Sequence, residues 1–298
     1  MPTYFVIGAS GYIGSHIVKR LARGGNKVKA LSRSDASDEF LAGLGAETVR
    51  GGIASQAILG SFASASDGVI YAARYAADEL AALRAVADGL GDADKPFLFI
   101  SGASVGAEET AGGSGTFQFS EDSELPSPPR GSAVRLQSED LVRRTTSARG
   151  FVVRPPLVHG AGGSVQIPLL ATKARELGHV PYVGAGENLW GFVHVEDLAQ
   201  LALNALQKGA AGSVYHAVAG EVAFKDLAHA IGEVLSKPAR SVPLSEAEAI
   251  FGKFAARVML GSSCRPTSSK TCAALDWTPN QPSVLEDIRA GSYRAAWT

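Results

Sequence analysis

The sequence predicts an α/β protein, a doubly wound parallel sheet carrying a smaller C-terminal lobe. Three observations predict it. Short runs rich in Val, Ile and Phe alternate with helical patterns through the first half of the chain. A glycine-rich turn joins the first run to the first helix. Beyond Arg154 the alternation loosens into shorter elements interrupted by Pro238, Pro243, Pro266, Pro279 and Pro282.

Strands are expected at residues 4–7, 28–31, 47–50, 68–72, 97–100 and 151–154, each bounded by Gly, Asp or Pro. Helical faces lie between them. Ile13, Ile17 and Leu21 are spaced by four, and Leu80, Leu83 and Leu90 share a face with Val86 and Ala87. A further helix is expected over 132–148, with Val134, Leu141 and Val142 among its apolar positions. The second half reads as helix 166–177, strand 192–195, helix 196–207, strand 213–217 and helix 223–235. The segment 106–131 differs, holding Gly112-Gly113-Ser114-Gly115 and then Pro126, Pro128 and Pro129. It reads as a long irregular loop after a strand's carboxyl end, either an active-site flap or a mobile insertion.

Composition narrows the function. The chain has 298 residues, enough to bury a large core. Lys plus Arg is 28 against 29 Asp plus Glu, so no basic surplus favours nucleic acid or an acidic membrane. Cys264 and Cys272 are too few for a disulfide scaffold or a zinc site, and they suit a reducing cytosol. The longest uncharged stretch, 155–172, carries three prolines and three glycines, which would break a spanning helix. The N-terminus lacks the basic residues of a signal peptide. A soluble cytoplasmic protein with no metal is expected.

The turn Gly8-Ala9-Ser10-Gly11-Tyr12-Ile13-Gly14 leaves a strand and opens a helix. Gly8 permits the tight turn, Gly11 lets backbone approach a pyrophosphate, and Gly14 lets helix pack on strand. The helix N-terminus, including Tyr12 and Ile13, offers free N–H groups to the phosphates. This predicts dinucleotide binding on a Rossmann fold. An NAD site places an acid at the end of the second strand to bond the ribose 2′-hydroxyl. Here Ser32, Arg33 and Ser34 stand there, with no acid before Asp35. Arg33 suits a 2′-phosphate and the serines can add hydroxyl donors, so NADP(H) is expected over NAD(H).

Further motifs resemble the short-chain dehydrogenase/reductase superfamily, in its extended NAD-dependent epimerase/dehydratase type. They are Tyr71-Ala72-Ala73, Phe99-Ile100-Ser101-Gly102-Ala103-Ser104, Arg154-Pro155-Pro156-Leu157-Val158-His159-Gly160 and Phe192-Val193-His194-Val195-Glu196-Asp197-Leu198-Ala199. The tail from Ser268 to Pro279 also fits. The resemblance implies a Rossmann domain over 1–165 plus 187–219 and a substrate lobe over 166–186 plus 220–298. It implies cofactor contacts from Ala72, Ala73, Ser101 and Pro156, and a homodimer through helices beside the catalytic Tyr position.

That Tyr position is where this chain departs. The family's Tyr-x-x-x-Lys supplies a general acid and a ribose-holding lysine, with an upstream Ser or Thr. By register against Glu139 these positions are Gly131 and Arg135, and the hydroxyl position is Gly102. No tyrosine lies between Tyr75 and Tyr182, no lysine between Lys95 and Lys173, and no tyrosine has lysine four residues on. A positioned acid contributes about 10²–10⁴ in rate, and an arginine with a pKa above about 12 cannot cycle a proton. The candidates that remain are Ser101 and Ser104 as carbonyl-orienting hydroxyls, Tyr75 as a phenol and His159 as a proton shuttle. Arg135 can bond ribose or an anionic substrate. Glu139 and Asp197 read as helix electrostatics, and His194 as structural.

Several sugar-nucleotide epimerases carry an Arg where Trp190 stands here. With Pro168, Leu169 and Tyr182 nearby, an indole wall points to a small apolar or aromatic substrate. Three functions follow. One is an NADP-dependent oxidoreductase acting on a small carbonyl, imine or enone. The second is an NADP-binding redox sensor with a partner protein. The third is an isomerase or cyclase that keeps the cofactor bound.

Overall fold

The predicted alternation becomes a seven-stranded, all-parallel sheet in the computed structural model, which describes residues 1–126 and 133–297. In chain order, β1 (Thr3–Ile7) leads into α1 (Tyr12–Arg23), and β2 (Lys27–Ser32) into α2 (Asp35–Gly43). Next come β3 (Glu47–Arg50), α3 (Gln56–Ser64), β4 (Gly68–Tyr71), α4 (Glu79–Leu90) and β5 (Pro96–Ile100). Two short strands follow, β6 (Glu108–Glu109) and β7 (Gln118–Phe119), then α5 (Ala133–Arg144) and β8 (Arg149–Arg154). The chain continues through β9 (Leu157–His159), α6 (Gln166–Leu177), β10 (Val180–Val183), β11 (Leu189–His194), α7 (Val195–Lys208) and β12 (Val214–His216). After these come β13 (Gly220–Ala223), α8 (Phe224–Leu235), β14 (Ala239–Val242) and α9 (Leu244–Phe251). The last elements are β15 (Ser262–Ser263), β16 (Arg265–Pro266), α10 (Ser269–Leu275), α11 (Val284–Ala290) and α12 (Ser292–Trp297).

Sheet order is β12-β8-β5-β4-β1-β2-β3. The strands β4 and β5 are buried along their whole length, which is why they read as unbroken apolar runs. One face is covered by α1 and α7 through Ile17, Leu21, Leu198 and Leu201. The other is covered by α3, α4 and α5 through Leu59, Leu83, Val86 and Val142. Strand order reverses between β1 and β4, so the crevice outside their carboxyl ends is the place this topology reserves for a ligand.

A second core joins Ile167, Leu170, Trp190, Phe224, Ile231 and Tyr293 around the three-stranded sheet β13-β11-β9. Leu275 and Trp277, which the sequence division gives to the lobe, pack instead into the first core. There the Trp277 indole N–H donates to the Asp197 carbonyl at 3.0 Å.

Several boundaries differ from expectation for physical reasons. The strand starting the fourth βα unit ends at Tyr71, opposite the last residue of β1, and the Ala72 N–H bond to the Ile7 carbonyl is the final rung of that ladder. Leu80 is 38% exposed and does not share the buried face of Leu83, Val86, Ala87 and Leu90. The helix expected to reach residue 148 stops at Arg144, and Ala148 is buried beside β8.

The segment 106–131 is the largest departure within its described part. It is a strap and not a free loop, with β6 pairing β15 and β7 pairing β16. Gly112 donates to the Gly261 carbonyl at 2.9 Å, and the Gly115 N–H donates to Ser263 Oγ at 3.0 Å. Glu108 turns back to accept the Thr116 N–H at 3.1 Å. Backbone partners supplied by a distant part of the chain leave no local signal in sequence.

Candidate cofactor and reaction site

The glycine turn forms a cradle at the switch point. Gly8 sits at φ +81°, and a Cβ there would lie 2.5 Å from the Ala73 nitrogen and 2.6 Å from the Ala72 carbonyl carbon. A Cβ on Gly14 would overlap the Gly8 carbonyl oxygen. The turn closes through a Gly11 N–H bond to Gly8 O at 3.0 Å. Gly11 caps α1 in extended geometry with no side-chain cap, and no acid lies in the first helical turn. The N–H groups opening α1 therefore face outward without a competing carboxylate, which fits a diphosphate. Ser10 and Gly11 are exposed and Ile13 is half-buried.

Tyr12 does not follow its neighbours. Its hydroxyl donates to the Gly160 carbonyl at 2.8 Å, so the ring leaves the cradle for the loop after β9. Burial pushes its phenol well above the ordinary range. Only its backbone remains available to a phosphate.

At the end of β2 the expected serine donors are occupied. The buried Ser32 hydroxyl donates to the Ser34 carbonyl at 3.2 Å, and Ser34 Oγ accepts the Ser37 N–H to cap α2. Arg33 is exposed and has no ion-pair or hydrogen-bond partner among the described residues. The nearby acids are engaged by another cation: Arg50 pairs with Asp35 at 2.5 Å and also with Asp38.

The reaction end of the crevice holds two buried ion pairs that the sequence did not reveal. Glu139, 1% exposed, accepts from Ser101 Oγ at 2.6 Å and from Arg154 Nη2 at 2.5 Å. Glu139 thus binds Arg154 and is not a helix-dipole charge, and the Ser101 hydroxyl proton is already engaged by it. Glu79, also 1% exposed, pairs with Arg135 and accepts from Ser138 Oγ at 2.6 Å. Arg135 donates its other arm to the Ile100 carbonyl at 3.1 Å and lies 4.9 Å from the Phe99 ring centre. The expected ribose or substrate ligand is therefore an internal ion-pair partner.

Ser104 is different. It is half-buried, and its hydroxyl has no protein partner among the described residues. A Cβ on Gly102 would meet nothing nearer than Ser104 Oγ, at 3.8 Å. Ser104 therefore presents its hydroxyl to the space that a side chain at residue 102 would occupy. Tyr75 is 54% exposed and has no hydrogen-bond partner among the described residues. Pro156 is half-buried beside Gly191. Gly131 lies outside the described residues.

His159 is not at the crevice. It is fully buried, with Nδ1 3.4 Å from Asp287 Oδ2 and the ring packed edge-on against Phe192 and His194. A proton shuttle needs access to substrate, and this imidazole has none. Burial opposes the Asp287 charge, but hydrogen bonds from His159 and Ser292 outweigh it and hold the carboxyl below its usual range. His194 Nδ1 accepts the Glu196 N–H at 3.2 Å as the cap of α7, and burial plus His159 hold its pKa low. The Asp197 carboxylate accepts the Asn280 and Gln281 N–H groups at 3.1 Å each.

Trp190 is also internal. It is 3% exposed and donates to the Ser262 carbonyl at 2.7 Å, so it is lobe packing and not a substrate wall. Pro168, Leu169 and Tyr182 remain half-buried. No helix among the described residues is long and apolar enough to cross a membrane.

The chain is similar to known proteins. An uncharacterized protein of Saccharomyces cerevisiae is 35% identical over 305 residues, covering 96% of this chain and 97% of its own. A 4-hydroxy-2-methyl-3-oxo-4-farnesyl-3,4-dihydroquinoline-1-oxide ketoreductase of Stigmatella aurantiaca is 27% identical, covering 71% of this chain and 66% of its own. The crystal structure of UDP-glucuronic acid 4-epimerase from Bacillus cereus, in complex with UDP-glucuronic acid and NAD, superposes with a TM-score of 0.77. It is 18% identical and covers 99% of each chain, which speaks to the fold. The NAD dependent epimerase/dehydratase family matches over residues 4–219. With its glycine cradle at the switch point of the sheet, the chain belongs to the NAD-dependent epimerase/dehydratase family.

Proposed function

We propose that this chain is an NADP(H)-dependent oxidoreductase that reduces a small apolar or aromatic carbonyl, imine or enone in the cytoplasm. The observation that carries the reading is the cradle: three glycines whose missing side chains leave backbone N–H groups open at the switch point. When bound there, NADPH would supply the hydride. Gly8, Gly11, Gly14, Ala72 and Ala73 would hold its diphosphate, and Arg33 its 2′-phosphate.

Ser104 takes the part of the missing family hydroxyl. Its free Oγ–H donates to the substrate oxygen or nitrogen, orienting it and stabilising the negative charge that develops. A serine hydroxyl is too weak an acid to give up its proton, so Ser104 keeps it while a water reaching this half-buried site protonates the substrate oxygen or nitrogen and leaves as hydroxide to solvent. Tyr75, exposed after β4, is a second candidate group. A lobe with a half-buried Leu169 and Tyr182 suits an apolar substrate, and a homodimer remains part of the reading.

The test is NADPH oxidation followed with a panel of ketones, imines and enones. Turnover of at least one class, faster with NADPH than NADH, is expected. Tight NADPH binding with no turnover of any compound would overturn the oxidoreductase reading.

A further inference from the structure

The loop from Gly160 to Ser164 joins β9 to α6 in an uncommon backbone state. Gly160 (φ 110°), Ala161 (φ 52°), Gly162 (φ 70°) and Ser164 (φ 155°) all have positive φ. Ala161 and Ser164 carry side chains, so this conformation is strained and needs outside partners to hold it.

Those partners come from the two ends of the chain. On one side, Tyr12 of the glycine turn donates to the Gly160 carbonyl at 2.8 Å. Its ring fills the space that a side chain on Gly163 would take. On the other side, the Tyr293 hydroxyl accepts the Gly160 N–H at 3.0 Å and donates to the Gly163 carbonyl. Ser292 Oγ accepts the Gly162 N–H at 2.9 Å, and the Ser292 N–H donates to Asp287 at 2.7 Å. Asp287 is in turn the partner of the buried His159 at the end of β9. Two phenols thus grip one five-residue loop, one from the cradle and one from the C-terminal helices.

We propose that Tyr293 is a positioning residue for the cofactor cradle, coupling occupancy of the Gly8–Gly14 turn to the packing of α11 and α12. Tyr12 is the first residue of α1, so a shift of the loop moves the Tyr12 ring and with it the N–H groups that open the helix. The coupling is reciprocal: a ligand that fixes those N–H groups also fixes the loop, and through it the last two helices. Arg175 of α6 lies 5.8 Å over the Trp297 ring, and Trp297 packs on Tyr293, so the lobe helix α6 is held by the same group.

This rests on the nicotinamide-dinucleotide reading of the cradle, and the test separates the two. Hydrogen exchange in residues 284–297 of the full chain is measured with and without saturating NADPH, beside NADPH titrations of the wild type, Tyr293→Phe and Tyr12→Phe. NADPH is expected to slow exchange in 284–297 by about fivefold or more, and each variant to bind NADPH about fivefold more weakly and lose that slowing. Should Tyr293→Phe fail to fold, the wild-type exchange and Tyr12→Phe decide. NADPH binding without slower exchange, or wild-type affinity in both variants, would overturn the coupling alone. Absence of NADPH binding to the wild type would overturn the cradle reading and the coupling with it.

Discussion

The Arg135 guanidinium lies against the buried Glu79 carboxylate, with only 17% of its own side chain exposed and its other arm on the Ile100 carbonyl. The resemblance leads one to expect a ribose-holding cation at this position, yet here the cation faces an acid on a neighbouring helix. Removing it would strand a buried carboxylate. Arg135→Ala is therefore expected to lose about 3–5 kcal/mol of stability. Arg135→Lys, which cannot fork, falls between. Thermal and urea unfolding check this; full stability with abolished turnover would instead mark Arg135 as a catalytic residue.

Ser104 and Ser101 separate by what their hydroxyls already hold. Ser101 is engaged with Glu139, whereas Ser104 has no protein partner among the described residues. Ser104→Ala is expected to lower kcat by about 10²-fold with cofactor affinity unchanged. Tyr75→Phe is expected to change kcat by less than about twofold. Steady-state kinetics on the first active substrate decide, and the reverse ranking would move the proton-donor role to Tyr75.

Cofactor choice is expected to follow Arg33. Arg33→Ala should weaken NADPH by about tenfold and leave NADH unchanged, because only the former carries the phosphate for a charge-assisted bond. Fluorescence titration with both cofactors reads this. Equal losses for the two would remove Arg33 from the 2′-phosphate site.

Gly14→Ala is expected to abolish measurable dinucleotide binding, since the methyl would overlap the Gly8 carbonyl and push α1 from the turn. Calorimetric titration with NADPH is the check.

Acid should destabilise the protein through His216. This fully buried ring packs against Phe119, with Nδ1 3.0 Å from the Thr267 carbonyl. Burial lowers its pKa to about 4, Glu121 pulling the other way and Arg154 adding to the fall. The unfolded chain binds this proton near pH 6.5 and the folded chain does not, so stability falls as pH drops from about 6.5 to about 4. The full loss is about 3 kcal/mol. His216→Asn should flatten that part of the profile in urea melts at stepped pH. An unchanged slope would show that another group carries it.

Much of this molecule is legible without coordinates. Val6, Ile70 and Phe99 lie in runs that can only be buried strands, and Gly8, Gly11 and Gly14 announce the cradle because only glycine permits such close backbone approach. The lack of a tyrosine and lysine pair is likewise a matter of counting. The strap over 107–122 escaped because its strands pair with residues more than a hundred positions away.

The amino-acid order alone thus made legible the βα alternation, the glycine turn and the absence of any Tyr-x-x-x-Lys run, since periodicity and glycine geometry act between near neighbours. Only the folded chain decided what each polar side chain faces. Arg135 meets Glu79 across 56 residues and His159 meets Asp287 across 128, which turned two expected reaction groups into internal supports. A hydrogen bond requires its partners within about 3 Å, and for these pairs that distance is set by how strands and helices stack, which no local pattern records.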